Sequence, residues 1–104
     1  MKLTIQYFAG CPHWKLADQR VRHVLRDLAR SDVKLEYQFI DSPEAADRAR
    51  FRGSPTILID GHDPFASESQ PYGLSCRVYE TEDGPQGAPT EAELRRLLSR
   101  NLPA

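Results

Sequence analysis

Phe8-Ala9-Gly10-Cys11-Pro12-His13-Trp14 is the stretch on which the fold turns. Ahead of it, residues 2–8 alternate, with Leu3, Ile5 and Tyr7 on one face and Thr4, Gln6 and Phe8 on the other, which is the two-residue period of a strand. Behind it, Trp14, Ala17, Val21, Val24, Leu25 and Leu28 recur at three- and four-residue intervals, the period of an amphipathic helix. Gly10 breaks the strand, and proline suits the first helical position, so Cys11 is predicted at the N-cap. Unpaired backbone N–H groups and the positive end of the helix dipole then face its sulfur, favour the thiolate and lower its pKa. His13, in the first turn, adds to this when protonated. A thiolate so placed is the nucleophile of disulfide exchange and the species that peroxides oxidise. A buried, inert cysteine is the alternative reading of the same position.

The rest of the chain extends the alternation of strand and helix. Asp18, Arg22, Arg26 and Arg30 fill the polar side of the first helix, which Ser31-Asp32 ends. A second strand is predicted from Val33 to Ile40. Ser42 as N-cap and Pro43 at the next position open a short helix that stops before Gly53. A third strand, Thr56 to Ile59, runs into the turn dipeptide Asp60-Gly61. Residues 62–75 read as a long polar loop, of the length that tends to carry function. Residues 76–80 read as a fourth strand, residues 84–89 as a Gly/Pro connection, and Thr90 with Glu93 as the capping box of a last helix with Leu94, Leu97 and Leu98 on its buried side. The predicted class is α/β, ordered β-α-β-α-β-β-α, with a mixed four-stranded sheet flanked by helices. Its first crossover is parallel and right-handed, and its last two strands are antiparallel.

Composition bounds the function. The 104 residues fit one domain, 1–104, with 39% hydrophobic and 28% charged residues, ordinary values for a soluble protein. A net charge of −1 with both signs interleaved gives no footprint for nucleic acid or an anionic membrane. There is no apolar run of membrane-spanning length and no apolar signal-peptide core, so a cytoplasmic address is expected. In a reducing cytosol two cysteines are redox-active, catalytic or inert more often than a structural staple.

Three segments resemble the thioredoxin superfamily. Phe8 to Trp14 is similar to its active-site turn, whose usual form is Cys-X-X-Cys. Gly53-Ser54-Pro55-Thr56 is similar to the stretch before its third core strand, and Gly87-Ala88-Pro89-Thr90 to the join to its last helix. The resemblance implies a thioredoxin-like fold with a cis Pro55 across from Cys11, presenting the backbone of Ser54 to an extended thiol peptide. It also implies that backbone N–H groups of His13, Trp14 and Thr56 hold sulfur and substrate, beside Pro12. Trp14 stands where the second cysteine of the turn belongs, and Ile5 where many members carry a buried aspartate. The pattern is therefore monothiol, as in some glutaredoxin-like and peroxide-reactive members. Trp14 is read as core packing first and as a stacking surface for a partner second.

Cys76 is the candidate resolving thiol. If a fourth strand pairs with the third, it starts at the end far from Cys11, beyond the roughly 7 Å between Cα atoms that a disulfide tolerates. Only a loop folded back over the turn defeats that argument, and an inert Cys76 is the leading alternative. The chain also resembles small thioredoxin-like proteins sometimes labelled organomercurial lyase, through Asp63-Pro64-Phe65 and Gly73 to Arg77. That label implies Cys11, Cys76 and Asp63 acting together. Cys11, His13, His62 and Cys76 are of metal-ligand type but lack the paired spacing of a zinc site, so no metal is predicted.

The expected function is thus thiol-dependent redox chemistry by Cys11, with His13 and Cys76 as assisting residues. Pro12, Trp14, Ser54, Pro55 and Thr56 are the expected binding residues. The partner is a thiol or disulfide substrate, small or protein, with no cofactor beyond a low-molecular-weight thiol as co-substrate. The alternative is a non-catalytic binding module using Trp14 and the 62–75 loop.

Overall fold

A computed structural model describes residues 1–66 and 70–101; residues 67–69, inside the predicted long loop, lie outside the described residues. Its elements are β1 (Lys2–Tyr7), α1 (His13–Asp27), β2 (Lys34–Phe39), α2 (Pro43–Ala49), β3 (Thr56–Ile59), β4 (Tyr79–Thr81), β5 (Gly84–Gln86) and α3 (Glu91–Asn101). No described helix is long and apolar enough to cross a membrane.

The strand order β2-β1-β3 puts β1 in the centre, parallel to β2 and antiparallel to β3. The alternation along β1 then sorts two cores. Leu3 and Ile5 face α1 and α3, where Ala17, Val21, Val24, Ile57, Leu94 and Leu98 close the main core. Phe8 packs on the other side against Ile40, Ala46 and Phe51, under α2. Each Leu or Ile so buried stabilises the fold by about 1.5–3 kcal/mol.

The caps read from the sequence are present at two helices. Ser42 Oγ accepts from the Ala45 N–H at 3.1 Å at the start of α2. At α3, Thr90 and Glu93 bond reciprocally, Glu93 N–H to Thr90 Oγ1 at 3.1 Å and Thr90 N–H to Glu93 Oε1 at 2.9 Å.

Three expectations are corrected. Helix α1 begins one residue late, with Pro12 rather than Cys11 as its cap residue and no side-chain cap. It also stops at Asp27, because Ala29 adopts a left-handed conformation (φ 53°) and closes the end with Ala29 N–H to Arg26 C=O and Arg30 N–H to Leu25 C=O. Asp18 lies buried rather than on the polar side, accepting from Arg22 and from the hydroxyl of Tyr37.

The third correction concerns the sheet, which has three strands rather than four. β4 starts at Tyr79 rather than residue 76, and pairs not with β3 but with β5 inside the expected Gly/Pro connection, as a separate two-stranded antiparallel ribbon. Pro85 lacks an N–H to donate, which an edge of a two-stranded ribbon accommodates.

Candidate functional site

The carboxyl end of β1 delivers Cys11 to the mouth of α1. The residue is wholly buried, and its Sγ–H donates to the Ser54 carbonyl at 3.4 Å. The N-cap contacts expected of this sulfur are not made, since the cap residue is Pro12. The Ser54–Pro55 bond is cis, as the resemblance implies. Phe8 N–H reaches Ser54 Oγ at 3.4 Å, which ties the turn to the proline segment from the other side.

Cys76 lies beside Cys11, contrary to the expectation from strand direction. The chain after β3 does not return as a neighbouring strand. It loops back and lays Ser75-Cys76-Arg77 alongside Ser54 as a parallel bridge. Ser54 N–H donates to the Ser75 carbonyl at 2.8 Å, and Arg77 N–H donates to the Ser54 carbonyl at 2.9 Å. Both backbone groups of Ser54, expected to await an extended peptide, are thus taken by the chain itself.

The two Sγ atoms and a nitrogen of His13 all lie within 4.8 Å of one another. Cys76 is exposed where Cys11 is not. Its S–H donates to the Cys11 sulfur, and this together with partial burial and the charge on Cys11 pushes the Cys76 thiol up to about 11. Cys76 is therefore held as a thiol at neutral pH.

A buried frame fixes this strap. Arg77 is 3% exposed and forms an ion pair with Asp63 at 2.8 Å. Its guanidinium also donates to Thr56 Oγ1 at 3.1 Å and the Phe65 carbonyl at 2.7 Å, and lies over the Tyr79 ring. Tyr79 OH donates to the Pro55 carbonyl at 2.6 Å, and burial raises its pKa. Thr56 Oγ1 donates to the Gly53 carbonyl at 2.7 Å, so that side chain serves the frame rather than a ligand.

Two glycines make room. Gly53 has φ +112°, and a Cβ there would fall 3.0 Å from the Ser75 carbonyl oxygen. A Cβ on Gly87 would fall 2.5 Å from Cγ and Nδ1 of His13, so the imidazole packs directly on that backbone.

Of the remaining expected residues, Pro12 is exposed and Trp14 half-buried. Trp14 stacks on Tyr7 at 4.4 Å between ring centroids and meets Tyr37 edge-on, in an aromatic group that Phe39 extends outward. His62 turns back on the end of β3, pairing with Ile59, and takes no part in the cluster. The carboxylate of Asp63 is committed to Arg77, so it does not join the two sulfurs as the mercury-related label implies.

The structural roles of Arg77, Asp63 and Tyr79 are not legible in the sequence, whose one signal is an arginine inside an otherwise strand-like run. Compared with family models, with curated proteins and with solved structures, the chain gives no significant match to any.

Proposed function

We propose that the chain is a thioredoxin-like thiol–disulfide protein working through Cys11 and Cys76. The observation that carries this reading is the proximity of the two sulfurs, set by the Ser54 bridge. The strand order with a parallel β1–β2 pair, a thiol at the β1–α1 turn and a cis proline facing it support the fold assignment.

In this reading the Cys11 thiolate attacks one sulfur of a disulfide R–S–S–R as the Cys76 side chain moves aside. A Cys11–S–S–R bond forms and RS⁻ leaves. Cys76 then gives up its proton and attacks the Cys11 sulfur, forming Cys11–S–S–Cys76 and expelling the second RS⁻. Two protein thiols are oxidised and one substrate disulfide is reduced, with the protons passing to the leaving thiolates. A low-molecular-weight thiol resets the pair by two exchanges, leaving as its own disulfide. A reducing compartment such as the cytosol supplies it.

The occupied backbone of Ser54 favours a small disulfide over an extended peptide. Trp14, stacked on Tyr7 at the start of α1, offers an aromatic surface beside the turn.

The test is trapping. Glutathione disulfide is expected to convert wild-type protein into the Cys11–Cys76 disulfide, two mass units lighter by intact mass spectrometry. Cys76→Ser is expected to accumulate glutathione on Cys11. The reading fails if no internal disulfide forms, which leaves the non-catalytic binding module. It also fails if Cys11→Ser takes up glutathione on Cys76 as fast as wild type, which would reverse the roles.

A further inference from the structure

Beyond redox exchange, we propose that reduced Cys11, Cys76 and His13 form a three-ligand site for a thiophilic d10 cation of the Zn(II) class, with its fourth position open to solvent. The ligand set is the observation. Two sulfurs and one imidazole nitrogen converge from three separate places: the β1–α1 turn, the first residue of α1 and the strap on Ser54. All three atoms already stand within 4.8 Å of one another. Tetrahedral zinc, with Zn–S near 2.3 Å and Zn–N near 2.0–2.1 Å, asks no pair to close by more than roughly 1 Å.

The charges balance. Two thiolates and one Zn(II) with a neutral imidazole make a neutral group, whereas two bare thiolates side by side, one of them buried, are costly. Soft sulfur with imidazole suits zinc and disfavours magnesium or calcium.

The second independent observation is Gly87. The absence of a side chain there lets the His13 ring lie against the backbone before α3, where a Cβ would be 2.5 Å from its Nδ1. The imidazole is thus packed in place toward the sulfurs rather than left to turn freely in solvent. Burial differs across the set, with Cys11 enclosed and both Cys76 and His13 exposed. The open side is therefore the solvent side, and three protein ligands plus a water is the arrangement of a reactive rather than a structural zinc.

Zinc here does not depend on the disulfide cycle. It requires only that both thiols be reduced, and oxidation to Cys11–Cys76 removes the site.

The experiment uses full-length, tag-free protein, reduced and metal-stripped under anaerobic conditions. Co(II) is titrated in as a spectroscopic probe, and Zn(II) affinity is read by competition with a chromophoric chelator. Expected are one equivalent bound, near-ultraviolet thiolate-to-cobalt bands and tetrahedral d–d bands. Cys11→Ser and Cys76→Ser should each lose the bands, and His13→Ala should weaken zinc by at least the 10–100-fold that even outer-shell changes cost.

Retention of one tight equivalent in the double serine variant overturns the proposal, as does wild-type zinc binding no tighter than that variant's. Circular dichroism of each variant separates ligand loss from unfolding. Wild-type protein distinguishes the two functional readings, because tight zinc is read on the reduced form and internal disulfide formation is read separately on the metal-free form with glutathione disulfide. Zinc binding without any disulfide formation would sink the redox reading alone.

Discussion

Ser54 and Cys76 stand side by side in a parallel bridge, so the residue before the cis proline holds the second thiol against the first. The bridge exists because Gly53 leaves space for the Ser75 carbonyl and adopts a φ of +112° that a side chain disfavours. Gly53→Ala is accordingly expected to lose about 1–3 kcal/mol of stability. It should also lift the strap from Ser54. Since about 1.4 kcal/mol of lost docking is tenfold in exposure, iodoacetamide should label Cys11 on the order of ten times faster than in wild type, as read by peptide mass spectrometry. Unchanged labelling would show that the strap does not guard Cys11.

Arg77 secures the same strap from below. Its side chain is 1% exposed and pairs with Asp63 while reaching Thr56 and the Phe65 carbonyl. Arg77→Met strands a partly buried carboxylate and two acceptors, at a cost of about 2–4 kcal/mol in urea denaturation. Lysine offers no fork to serve Asp63 and Phe65 together, so Arg77→Lys should recover less than half of the loss. Arg77→Met combined with Asp63→Leu removes both charges and should be more stable than Arg77→Met alone. Additive losses in the double variant would mean the pair is not coupled.

How far the sequence carries is visible at these residues. The β1–α1 turn, the three strands of the main sheet and both side-chain caps follow from local signals, because periodicity and capping act within a few residues; the place of Pro55 across from Cys11 comes from the resemblance alone. The return of the strap does not. Residues 76–79 alternate, but with Val78 58% exposed and Arg77 buried, the polarity is the reverse of what burial preference suggests. Asp63, Thr56 and the Phe65 carbonyl, all distant in sequence, make that inversion stable together with the Tyr79 ring on the same face. The same alternation places Cys76 at the start of a strand, at the end far from Cys11. The β4–β5 ribbon was hidden by Gly84 and Pro85, residues that break strands in a wide sheet but not at an exposed edge.

A simpler consequence lies at the far end of α1. Ala29 holds φ 53° while closing the helix through Arg26 and Leu25, a position where glycine carries no Cβ penalty. The left-handed conformation costs an L-residue roughly 1–2 kcal/mol, partly offset by the greater freedom of glycine in the unfolded chain. Ala29→Gly should therefore stabilise the fold by about 0.5–1 kcal/mol in urea or thermal unfolding, with glutathione trapping unchanged. A destabilised variant would indicate that Ala29 packs more than it strains.

The hydrogen bond between the two sulfurs has a pH signature that can be read on metal-free protein in chelator. Cys76 is pushed up to about 11, first by its hydrogen bond to Cys11, then by burial and by the charge on Cys11. A thiol raised above its unfolded value of about 8.5 binds its proton more tightly in the folded state. Its contribution to stability is complete below that value and is lost as pH rises toward about 11. The rate of Cys76 alkylation should therefore climb with a midpoint near 11 in wild type. In Cys11→Ala, with the largest and third causes removed, the midpoint should fall back toward the ordinary thiol range. The same midpoint in both proteins would mean that Cys11 does not accept the Cys76 proton's hydrogen bond. The resolving role proposed for Cys76 would then lose the contact that keeps it protonated until Cys11 has reacted.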